Sequence, residues 1–142
     1  MKSQNVRFEG TIPPDHEFEH PTGASLARVL MSELKKAGWQ TADFDNWRDC
    51  GWIVPCARDD AQLDVVFSEW DTAWLLQVAA TDCPGLVGSL FGRKVSATLD
   101  DIMKLSRDIH AILLAQPKLS IKGWRIDGPP DEKNSTPEPI EK

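Results

Sequence analysis

Between Cys50 and Ala80 apolar residues recur at alternate positions, and that alternation leaves few folds open to the chain. Leu63, Val65 and Phe67 are interleaved with polar neighbours such as Asp64 and Ser68, and Trp74, Leu76 and Val78 with Ala73, Leu75 and Gln77. A period of two is that of a strand with one face buried. A third run, Cys50 to Val54, precedes them, and Pro55 after it predicts an edge position or a strand end. The links are Arg58-Asp59-Asp60 and Ser68-Glu69-Trp70-Asp71-Thr72. A parallel crossover needs about a dozen residues or more, so links this short join antiparallel neighbours in a meander.

Helical spacing flanks the meander on both sides. From Thr22 to Ala37, Leu26, Val29, Leu30 and Leu34 form one apolar stripe. Thr22 is placed to cap the start, Lys35 and Lys36 suit the negative end of the helix dipole, and Gly38 is the expected left-handed stop with Trp39 packing back. A second helix is predicted to start near Thr98 with Asp100 and Asp101 in its first turn. Ile102, Leu105, Ile109, Ile112 and Leu113 make its apolar face and Pro117 closes it. A short strand near 5–12, ended by Pro13-Pro14, and a last strand from Leu119 to Ile126, kinked at Gly123, complete the order.

Two helices cannot cover both faces of such a sheet. The expected fold class is therefore α+β: a two-layer sandwich, mainly antiparallel, with both helices on one face and the other face at least partly open. The core should hold Leu26, Leu30, Leu34, Leu63, Val65, Phe67, Trp74, Leu76, Val78, Ile102, Leu105 and Ile109. A single domain is expected over 1–127, its ordered part from about residue 5. Residues 128–142 carry one aliphatic side chain, Ile140, beyond their prolines and have no periodicity, so they are expected to form a disordered acidic, proline-rich tail.

The net charge of −6 disfavours generic nucleic-acid binding, because a phosphate backbone is repelled on average. No stretch approaches the ~20 apolar residues of a membrane span, and Met1-Lys2-Ser3-Gln4-Asn5 offers no apolar core for a secretion signal. Three cysteines, Cys50, Cys56 and Cys83, read as reduced thiols in a cytoplasmic protein.

His16-Glu17-Phe18-Glu19-His20 matches, letter for letter, the pattern by which two histidines on a helix hold zinc and a glutamate acts as base. The metal needs both imidazoles on one helix side. Pro13, Pro14 and Pro21 oppose a helix there, so His16 and His20 are weak metal candidates and a solvated loop is the expectation. Cys50 and Cys56, if on one extended strand, lie ~20 Å apart, beyond shared ligation. Gly85-Leu86-Val87-Gly88-Ser89-Leu90-Phe91-Gly92-Arg93-Lys94 lacks the spacing of a phosphate loop. His110 is the one histidine outside the N-terminal cluster, on the flank of the second helix's stripe, where packing is the expected role. No cofactor and no catalytic residue is expected.

Six tryptophans and no tyrosine are the oddity of the composition. Trp74 falls in the core set and Trp39 at the helix stop. Trp47 and Trp52 bracket Arg48-Asp49-Cys50-Gly51, and Trp70 lies in a turn beside Asp71. Either all six pack locally, or Trp47, Arg48, Trp52, Trp70 and Asp71 form a patch that binds another protein. The order helix, three strands, helix, strand in a small acidic chain is loosely similar to that of secretion chaperones that hold unfolded segments of exported effectors, a likeness of element order alone. The function expected is a non-enzymatic cytosolic protein-binding module of adaptor, chaperone-like or regulatory type. An immunity-type protein blocking a toxin or defence enzyme, and a metal-dependent hydrolase using His16, Glu17 and His20, are the alternatives.

Overall fold

The computed structural model describes residues 2–81 and 97–141. In chain order the elements are β1 (Ser3–Gly10), α1 (Ala24–Lys36), β2 (Gln40–Thr41), β3 (Asp45–Trp47), β4 (Gly51–Arg58), β5 (Ala61–Trp70), β6 (Ala73–Ala80), α2 (Leu99–Leu114) and β7 (Leu119–Ile126). The seven strands form one antiparallel sheet in the order β2-β4-β5-β6-β1-β7, with β3 also on the outer side of β4. The meander β4-β5-β6 is the one the alternation predicts. Position β1 is not: the first strand lies between β6 and β7, as the sole described partner joining the last strand to the sheet.

Both helices pack on the same face, α1 against β4 and β2, and α2 against β6, β1 and β7. Every residue of the expected core is buried, joined by Val6, Phe8, Val54 and Trp124 from the same sheet face. This is the two-layer α+β sandwich expected from the pattern.

Two local details differ from the sequence reading. The cap of α1 is Gly23, at φ 101, and not Thr22; no side-chain hydrogen bond caps this end. A Cβ on Gly23 would meet the Trp74 ring at 2.9 Å and the Phe67 ring at 3.1 Å, so close packing on the core selects glycine over a capping side chain. Strand β4 runs through Pro55 to Arg58 instead of ending at Val54. Its outer side is covered by two short strands, β2 opposite Ala57 and Cys56, and β3 opposite Ile53 to Gly51. Pro55 falls in the gap between them, where it accepts from the Ala42 N–H at 3.1 Å and has no N–H to offer. The predicted stop of α1 is as expected: Gly38 has φ 99 and the Trp39 N–H donates back to Leu34 at 3.0 Å.

Residues 128–141 differ from an unpacked tail in making contacts. Thr136 forms an isolated antiparallel bridge to Trp124, and Ile140 exchanges hydrogen bonds with the buried Gln4 side chain. Apolar burial is small here; main-chain pairing and side-chain amides hold the segment, and neither has a hydrophobic signature in sequence. No helix among the described residues is long and apolar enough to cross a membrane.

Candidate functional site on the helix-free sheet face

Alternation sends the odd-numbered residues of β4, β6 and β1 and the even-numbered residues of β5 to the face away from the helices. Strand register then aligns Trp47, Gly51, Ser68, Leu75, Arg7 and Gly123 in one row across the sheet. Ile53, Val66, Gln77 and Asn5 lie in the row beside it. Trp70, two residues beyond Ser68, is on the same face at the end of β5. A groove of about 740 Å³ is lined from these rows by Trp47, Ser68, Leu75, Val66, Gln77 and Asn5, together with Trp70 and Asp127 to Pro129.

Gly51 lets β4 approach β5 closely beside the groove. A Cβ there would meet the Phe67 carbonyl oxygen at 2.2 Å and the Ser68 Cβ at 2.9 Å. The two tryptophans are displayed by hairpin turns. Arg48 and Asp49, at φ 52 and 59, make the tight turn between β3 and β4, closed by the Cys50 N–H to the Trp47 carbonyl at 3.1 Å. The Arg48 guanidinium lies 4.9 Å from the Trp47 ring centroid, which holds that ring by a cation–π contact. Asp71, at φ 58, turns β5 into β6 directly after Trp70. Trp70 is 69 % exposed, the most exposed large hydrophobic side chain described. Carboxylates of Asp49, Glu69 and Asp71 surround this end, with Arg48 the one cation among them.

The patch expected from sequence is therefore brought together at Trp47, Arg48, Trp70 and Asp71 and split at Trp52. Trp52 is on the helix-covered face, 4 % exposed. Its indole N–H donates to the Pro21 and Thr22 carbonyls at 3.1 and 3.2 Å, and its ring packs on Phe18 and Phe44. Three more tryptophans hold the fold: Trp39 donates to Asp108 at 2.7 Å, Trp124 donates to His110 Nδ1 at 3.0 Å, and Trp74 stacks on Phe8. Trp47 and Trp70 differ from these four in lying on the helix-free face, Trp47 half-buried and Trp70 exposed.

The segment carrying His16 and His20 is not helical, so its imidazoles do not share a helix side. Among the described residues no group of three or more His, Cys, Asp or Glu side chains is placed to hold a metal. The segment has a structural device that sequence reasoning missed. Asp15, its side chain 2 % exposed, accepts from the backbone N–H groups of Glu17 and Phe18 and from Arg28 Nε at 2.8 Å. The Arg28 hydrogen bond, helped by the two backbone donors, holds the Asp15 carboxyl well below the usual carboxylate range. Arg28 also reaches Glu17 at 3.0 Å and lies 5.0 Å from the Phe44 ring centroid. The only sequence signal was an aspartate followed by residues able to close an Asx turn. Cys83 and the glycine-containing loop 85–94 lie outside the described residues.

The described lining of the groove contains no histidine and no lysine. Cys50 is exposed at its margin, its thiol against the Trp47 carbonyl at 3.5 Å. The arrangement offers apolar and aromatic contact, amide and hydroxyl hydrogen bonds and a negative rim. No protein-family model matches the sequence, and no curated protein matches it.

Proposed function

We propose that this chain is a non-enzymatic protein-binding module of adaptor, chaperone-like or regulatory type, acting in the reducing cytosol, and that it takes its partner on the helix-free sheet face. One observation carries the reading: Trp70 is 69 % exposed at the end of an apolar groove that Trp47 also lines. Large exposed aromatic side chains beside a groove are the anchors on which binding energy concentrates. The carboxylates of Asp49, Glu69 and Asp71 around them favour a partner segment that is apolar with basic flanks. The groove's main-chain floor and its Ser68, Gln77 and Asn5 side chains supply polar contacts along it.

Immobilised protein presented to a lysate of its native host is the test. Trp47→Ala and Trp70→Ala should each weaken capture of the same partner by about 2 kcal/mol, roughly thirtyfold, while Leu114→Ser, at an exposed site on α2, should not. Raising the salt should lower affinity further, since the rim is charged. A partner list identical for all four proteins would defeat the proposal.

A further inference from the structure

The segment 135–141 sits in a seat made by β7, β1 and α2. Trp124 and Thr136 exchange both main-chain hydrogen bonds, at 2.7 and 2.9 Å. One residue earlier on β7 is Gly123, and a Cβ there would meet the Ser135 Cβ at 2.4 Å. The strand thus lacks a side chain where the segment crosses it. Gln4 is wholly buried, on the core-facing side of β1 with Val6 and Phe8. Its amide donates to the Ile140 carbonyl at 2.7 Å and accepts from the Ile140 N–H at 3.3 Å, pairing with that main chain as a neighbouring strand would. Arg107 on α2 pairs with Glu141. A buried amide that reads one residue's main chain, a strand edge and a glycine-made gap are parts of a recognition site for a peptide segment.

We propose that this seat is a peptide-binding site and that residues 135–141 are its occupant in cis. Its ligand is a segment with a small residue against Gly123, a hydroxyl residue paired with Trp124, a bend over the next two residues, a residue four positions after the hydroxyl whose main chain pairs with Gln4, and a carboxylate next for Arg107. A partner segment of that pattern binds by displacing the chain's own. The site is separate from the tryptophan groove and does not depend on it.

Tethering gives the resident segment a millimolar effective concentration, so a free peptide competes poorly until the tether loses its hold. The probe is a fluorescein-labelled peptide of residues 131–141, added to the full chain. Two variants release the cis segment without touching the seat: Thr136→Pro, which removes an N–H that bonds Trp124, and Ser135→Leu, too large for the gap at Gly123. Fluorescence polarisation should show saturable binding to both at least about tenfold tighter than to the unaltered chain. Adding Gly123→Ala to either variant should weaken it again by about tenfold or more, because the new Cβ meets the peptide's serine. Circular dichroism and cooperative melting establish that each variant is folded. Backbone hydrogen exchange gives a second readout: the Trp124 amide should exchange faster in the released chains. Absence of saturable binding to folded release variants, equal binding to the unaltered chain, or indifference to Gly123→Ala would each overturn the proposal.

Discussion

The His110 ring accepts the indole N–H of Trp124 at Nδ1, and that bond exists only while Nδ1 carries no proton. Burial holds the folded-state pKa of His110 below 6.5, with Glu138 opposing in part. The unfolded chain therefore takes up the proton first. The contribution of His110 to stability is complete above about pH 6.5 and is lost as the pH falls from there toward the folded value. Melting temperature should drop between pH 7 and 5. His110→Asn keeps an acceptor oxygen that does not titrate, and should flatten that part of the profile; an unchanged slope in this variant would assign the loss elsewhere. Asp15 and Asp127 act in a lower window, since both are held below the ordinary carboxylate range, Asp15 by Arg28 and Asp127 by the Lys2 and Ser3 N–H groups. The cysteines differ just as sharply. Burial, with Asp64 adding, pushes the Cys56 thiol up to about 12, whereas Cys50 is exposed. At pH 8 iodoacetamide should modify the Cys50 peptide within minutes and leave the Cys56 peptide unmodified until denaturant is added, which mass mapping will show.

Each element has its own means of starting and stopping. Helix α2 begins with a reciprocal capping box: the Thr98 hydroxyl accepts the Asp101 N–H and the Asp101 carboxylate accepts the Thr98 N–H at 2.9 Å. Thr98→Ala should lower stability by about 1 kcal/mol, read from the urea midpoint with an unchanged slope. Helix α1 has no such box and starts on a glycine pressed against Trp74 and Phe67. The start of the second helix, expected near Thr98, was legible because its cap is local in sequence. The cap of the first was misplaced by one residue because Gly23 answers to aromatic rings about 44 and 51 positions away. Pro55 was legible as a constraint on pairing, yet its solution, two short strands with a gap, depends on where residues 40–47 return.

At the scale of the molecule, one layer of helices leaves the opposite sheet face without cover from α1 and α2. The core thus lies on one face and the proposed binding groove on the other, and substitutions should separate them. Leu76 is 1 % exposed on the central strand β6. Leu76→Asp should abolish cooperative folding by placing an unpaired charge in the core, and Leu76→Ala should cost about 2–5 kcal/mol. Trp70→Ala should leave the melting temperature nearly unchanged while removing the proposed partner anchor. A cooperatively folded Leu76→Asp protein would show that the helix-covered face is not the core.

Local order determined much of this protein. Period-two runs with short links, and two stripes at helical spacing, were enough to establish the meander, the helices and the one-sided layering. These signals rest on neighbours within a few residues, and burial repeats them faithfully. Which tryptophans serve the core was settled only in three dimensions. Trp47 and Trp52 are five positions apart, yet a tight turn and the pleat put them on opposite faces of the sheet. The same holds for β1 between β6 and β7, for Asp15 on Arg28, and for Ile140 on Gln4, 136 residues away along the chain. Such pairings depend on where distant main chain arrives, and polar contacts of this kind leave no periodic trace in the residues that make them.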